Sequence, residues 1–138
     1  MQSVNPRNTL LSLLCCLFSA NLYAKSCEFK AVSFTTSFET GKLNSCVQLS
    51  DNHYLLTTDA ENRPINPSPW YAFKVELNAA AKTQHIKISI QAEQAKPRYL
   101  PKMSTDSKTW QELPFVIKDN QLTFEVTLSK ALFIAGQE

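Results

Sequence analysis

Few residues in this chain have the type and spacing that catalysis needs. Its two histidines, His53 and His85, stand outside the HxxE and HExxH spacings that aim two ligands at one zinc ion, so each reads as a polar residue at a strand start. With only two glycines, Gly41 and Gly136, neither a glycine-rich phosphate loop nor a G-x-S-x-G nucleophile elbow can be built. Serines are plentiful, but none is singled out as a nucleophile by a nearby base and orienting acid. Carboxylate pairs such as Asp59 with Glu61, or Glu112 with Glu125, have the chemistry of glycosidase acids. They read as solvated strand edges, because nearness in sequence does not set a separation across a cleft. No catalytic residue and no metal ligand is assigned.

Four cysteines are present. Cys15 and Cys16 fall in the apolar run "TLLSLLCCLFSANL", which follows a start with one Arg and no acid and precedes a small residue at Ala24. Residues 1–24 therefore read as a cleavable secretory signal. The run is too short for the ~20 apolar residues of a bilayer span, and no retained transmembrane segment is expected. Export leaves Cys27 and Cys46 in an oxidising compartment, where a structural disulfide is the expected state. A zinc site or a reactive thiol is the alternative, and no CxxC spacing favours either. Loss of Arg7 with the signal takes the formal charge from +2 to +1, which leaves no basic stripe and no reason to expect nucleic acid as a partner.

The remaining set of interest is aromatic: Trp70, Tyr71, Tyr99 and Trp110, with Arg98 and Lys102 beside two of them. Flat rings next to a guanidinium suit sugar stacking or a protein interface, and they equally suit core or rim packing. Alternation places Trp70 opposite Tyr71, Phe73 and Val75 and on the side of Ala72, Lys74 and Glu76.

These side chains must be positioned by strands. In "PWYAFKVEL" Tyr71, Phe73, Val75 and Leu77 share one face; in "HIKISIQAE" Ile86, Ile88, Ile90 and Ala92 do so; in "QLTFEVTL" Leu122, Phe124, Val126 and Leu128 do so. Weaker runs, "CEFKAVSF", "CVQL", "HYLLTT", "TWQEL", "FVIK" and "LFIAG", bring the expected total to about nine strands, joined by turns such as "SDN", "TDSK" and "KDNQ". No segment carries a helical stripe. The expected fold is all-β, an antiparallel sandwich over residues 25–138 that forms one domain. Prolines in "DAENRPINPSP" stiffen an extended connection into the strand at Trp70.

"PINPSPWYAFKV", then "RYLPKMSTDSKTW", then a closing strand ending in "GQE" resemble the N-terminal domain of cytosolic-carboxypeptidase-type zinc metallocarboxypeptidases, including exported bacterial members. The resemblance runs from about Cys27 to Glu138 and rests on Asn66, Pro67, Pro69, Trp70 and Tyr71, with Arg98, Tyr99 and Trp110 as a second anchor. The chain departs from the pattern at one turn, where Asp106 and Ser107 stand at a place that commonly carries glycine. The resemblance implies a β-sandwich that precedes a separate catalytic domain. Zinc, the general base and the carboxylate-binding Arg belong to that second domain and map onto no residue here.

Three readings follow. In the leading one the chain is a periplasmic or secreted, non-catalytic accessory domain, partnered in cis or in trans by a carboxypeptidase catalytic domain. Its aromatic motif then serves as an interdomain surface. The others are a stand-alone module that binds glycan or cell-wall peptide, and a decayed fragment.

Overall fold

The computed structural model describes residues 25–60, 68–78, 82–93 and 95–137. The expected signal at residues 1–24 lies outside them, as do Asn66 and Pro67 of the proline-rich connection. The described residues form eleven strands: β1 Ser26–Glu28, β2 Val32–Thr35, β3 Ser45–Ser50, β4 His53–Asp59, β5 Tyr71–Leu77, β6 Gln84–Glu93, β7 Lys102–Ser104, β8 Gln111–Glu112, β9 Phe115–Lys118, β10 Gln121–Leu128 and β11 Leu132–Gly136. They make a six-stranded sheet in the order β1-β2-β5-β11-β7-β8 and a five-stranded sheet in the order β3-β4-β6-β10-β9. No described helix is long and apolar enough to cross a membrane.

The all-β sandwich read from the sequence is the one observed, with two added strands and one parallel pair where an antiparallel fold was expected. "CEFKAVSF" splits into the antiparallel pair β1 and β2, because the Phe29 amide donates to the Val32 carbonyl at 3.0 Å and closes a turn without glycine or proline. Within "RYLPKMS" a short strand, β7, fills the gap between β11 and β8. One pair is parallel: β4 runs alongside β6 from His53↔Lys87 to Asp59↔Glu93. The chain leaves β4 for β5 in the other sheet before it returns as β6, and a strand that comes back after such a crossover enters in the same direction.

Period-2 alternation builds the core. Along β10 Leu122, Phe124, Val126 and Leu128 are buried, while Thr123, Glu125 and Thr127 point out. Opposing them, β5 contributes Phe73 and Val75, β2 Val32 and Phe34, and β11 Ile134. Aromatic contacts fill the core: Phe34 meets Tyr54 of the other sheet with ring centroids 5.2 Å apart and Phe73 of its own sheet at 5.8 Å, in the edge-to-face geometry that ring quadrupoles favour.

Turn chemistry sets the hairpins. Between β9 and β10 stand only Asp119 and Asn120, with φ of 49° and 65°. Two left-handed residues match the two-residue hairpin turn whose twist suits the strands, and Asp and Asn tolerate that region best after glycine.

Cys27 on β1 and Cys46 on β3 are joined as a disulfide, with Cα atoms 6.1 Å apart and a sequence separation of 19. β1 and β3 are edge strands of different sheets, so the bond clasps one side of the sandwich. Its reduction should cost about 3 kcal/mol, the loop-closure entropy returned to the unfolded chain. Denaturant melts of the purified protein with and without reductant measure this directly, and coincident curves would contradict it.

Candidate functional site

Among the described residues no group of three or more His, Cys, Asp or Glu side chains is placed to hold a metal ion. Polar side chains converge instead on the outer face of the five-stranded sheet. His53 Nε2 lies 2.9 Å from Ser89 Oγ, and Ser89 Oγ lies 2.8 Å from Thr123 Oγ1, a chain across β4, β6 and β10. No local pattern pairs His53 with Ser89, because the parallel β4–β6 register brings them together from 36 residues apart. Burial and then the Lys87 charge hold the His53 pKa below its ordinary value, which favours the neutral ring. A neutral His beside a Ser hydroxyl is the start of a nucleophilic dyad. Ser89 is only 1% exposed, however, and a substrate carbonyl could not reach its oxygen. The chain of hydroxyls therefore ties strands together. Lower on the same face, Glu125 accepts from His85 at 3.1 Å and pairs with Lys87 at 3.5 Å; the His85 hydrogen bond is the main cause that lowers its pKa.

The motif residues divide by face. Tyr71 is 2% exposed and belongs to the core; its hydroxyl donates to the Tyr99 carbonyl at 3.2 Å, and burial pushes its pKa up. Pro69 is buried, and Ser68 hydrogen-bonds the Tyr99 hydroxyl. The Thr58 hydroxyl donates to the Trp70 carbonyl at 2.7 Å, which anchors the entry to β5 on β4. Trp70 itself is half-buried. The Lys42 ammonium lies 4.8 Å from its ring centroid, a cation–π contact, and backbone bonds between Lys42 and Ala72 hold that segment in place. Arg98 is exposed and lies 5.7 Å from the Tyr99 ring centroid.

A separate concavity lies on the outer face of the six-stranded sheet. Ala72 and Ala135, paired across β5 and β11, form its floor; Phe38 and Phe133, in edge-to-face contact at 5.6 Å, form one wall, and Trp110 and Gln137 another. The groove encloses about 250 Å³. Trp110 is 38% exposed here. Of these residues only Trp110 was marked in the sequence. "ALFIA" held the missed signal, since a run apolar at every position is what a strand covered on both faces looks like.

The turn at residues 105–109 brings Trp110 and Ser107 to the groove. Asp106 Oδ1 accepts from the Lys108 and Thr109 amides at 2.8 Å each and from the Ser104 hydroxyl at 2.9 Å. Those hydrogen bonds, led by the Thr109 and Lys108 amides, hold its pKa down at about 2. Ser107 follows with φ of 60°, the left-handed region that glycine occupies at no steric cost. This is the turn where the chain departs from the pattern it resembles.

Residues 34–135 match the family described as cytosolic carboxypeptidase N-terminal domain. The match spans most of the chain, from the core of β2 to the floor of the groove. This chain belongs to that family. As an N-terminal domain of this kind it is also similar in fold to longer solved proteins. One is a candidate carboxypeptidase A from Shewanella denitrificans OS-217, 22% identical with a TM-score of 0.53 over 74% of this chain. Another is a metallo-carboxypeptidase from Burkholderia cenocepacia, 16% identical with a TM-score of 0.57 over 75% of this chain. The chain spans 28% of the length of each. At these identities the likeness concerns the fold. No curated protein matches.

Two substitutions test the turn. Ser107→Gly should stabilise the domain by about 0.5 kcal/mol, the relief of ~1–2 kcal/mol of left-handed strain less the extra unfolded-state freedom of glycine, read from denaturant midpoints. Asp106→Asn should lower the melting temperature at neutral pH. Because the folded pKa is depressed, the carboxylate's contribution is complete above its ordinary value of 3.8 and is lost as pH falls through about 2. The gap between wild type and variant should therefore close over that window, and a gap independent of pH would remove the carboxylate from the account.

Proposed function

We propose that this chain is a non-catalytic accessory domain of the metallocarboxypeptidase class, which works with a catalytic domain in cis or in trans to support its folding or shape access to its cleft. The observation that carries the reading is the match of residues 34–135 to a carboxypeptidase N-terminal domain. Support comes from the fold's likeness to proteins named as carboxypeptidases, of which it spans 28%. In this reading zinc and the groups that act with it sit on the catalytic domain. The sandwich contributes shape and buried area, and proton transfer happens elsewhere. The chain acts in the periplasm or outside the cell, where the Cys27–Cys46 bond is kept oxidised.

Release of the C-terminal amino acid from a panel of peptides tests this. The purified chain alone should release none. Trimming by the chain alone, abolished by a chelator, would overturn the proposal.

A further inference from the structure

The two outer faces of the sandwich are unlike. On the five-stranded sheet the central positions are His53, Ser89, Thr123, Lys87 and Glu125, joined to one another by hydrogen bonds and ion pairs. The polar centre of that face is already satisfied, and its exposed apolar side chains, such as Val47 and Val116, lie on the edge strands β3 and β9. On the six-stranded sheet the corresponding centre is two alanines, buried at 3% and 5% although they point away from the core, with the rings of Phe38, Phe133 and Trp110 standing over them. Small residues flanked by aromatic rings leave a recess that a partner's side chain can fill, the arrangement found at the centre of protein interfaces.

The place where the family domain ends points to the occupant. The family is an N-terminal domain and its match stops at residue 135, so in its members the polypeptide continues from the strand that β11 represents. Here β11 supplies Ala135 to the floor of the groove, and Gln137 lines its wall. A domain that follows β11 therefore starts against this face, whereas the outer face of the five-stranded sheet lies on the far side of the core. The fold neighbours are named as carboxypeptidases, and most of their length lies outside the region this chain matches.

Resting on the accessory-domain reading, we infer that the groove formed by Phe38, Ala72, Trp110, Phe133, Ala135 and Gln137 is the surface on which a metallocarboxypeptidase catalytic domain docks, with an apolar side chain of that domain seated over the two alanines. Trp70 lies outside the groove lining and keeps its contact with Lys42. In this arrangement Trp110 is the motif aromatic at the interface.

Photo-crosslinking in the native host tests the inference on the full-length protein. Benzoylphenylalanine is placed at Glu39 or Trp110, on the groove, and at Val116 or Thr123, on the outer face of the five-stranded sheet, and the crosslinked segments are identified by mass spectrometry. The groove positions should join a metallocarboxypeptidase domain, on the same chain or another, at least about tenfold more than the control positions do. Trp110→Ser, in protein whose melt is first compared with wild type, should reduce crosslinking from Glu39 by about the same factor. Carboxypeptidase captured chiefly from Val116 or Thr123 would overturn the docking face and leave the accessory role standing. Capture of a second copy of this chain from the groove, with the carboxypeptidase elsewhere, would do the same. Carboxypeptidase captured from no position would overturn both.

Discussion

The ring of Tyr71 imposes the tightest constraint in this domain. A Cβ on its cross-strand neighbour Gly136 would overlap the phenol, so the two strands can keep this register only with glycine at that point. A buried phenol also needs an acceptor, since leaving it unpaired would cost the desolvation of the hydroxyl. The Tyr99 carbonyl supplies one and ties the connector before β7 to the centre of the six-stranded sheet. β2 and β7 then pair on either side of this fixed β5–β11 couple. The strand that opens with Tyr71 thus sets both the core it fills inwardly and the shape of the sheet's outer surface, where Ala72 and Ala135 face each other.

The same alternation separates packing from recognition. Every second residue of β5 and β11 is committed to the interior by burial; the residues between are free to vary with whatever lies outside. On β5 that outer row passes from Ala72 to the ion pair of Lys74 with Glu76, and on β11 it reads Phe133 and Ala135. The groove is therefore a local apolar interruption in an otherwise charged row. The hydroxyl chain from His53 through Ser89 to Thr123 stiffens the opposite face by bonds between strands.

Much of this organisation is written in period 2. β5, β6 and β10 are legible because each repeats an apolar residue at every second position over seven residues or more, a pattern no helix satisfies. The Asp119–Asn120 turn is legible for the same local reason. β7 is not: its three residues hold an extended shape because β8 and β11 flank them, and tertiary pairing of that kind leaves no local mark. The division of Ser26–Thr35 into two strands is hidden because its turn contains Lys30 and Ala31 instead of turn formers. The groove escapes a linear reading because its walls come from the β2–β3 loop, β5, the residue before β8, and β11. Trp70 and Trp110 look alike as exposed candidates in the sequence, and only the fold shows that one is held by Lys42 while the other stands over a recess.

The disulfide closes the side of the sandwich at β1 and β3, and the opposite side ends in β9, with Val116 66% exposed and Phe115 and Ile117 at 37% and 49%. An outermost strand of this composition offers unsatisfied amides and carbonyls beside oily side chains, which is a template for further strands of the same kind. Lys118 is the one charge within it. The shortness of β9 and Lys118 at its end blunt that template, and a charged residue in place of Val116 would act as a further gatekeeper without touching the interior.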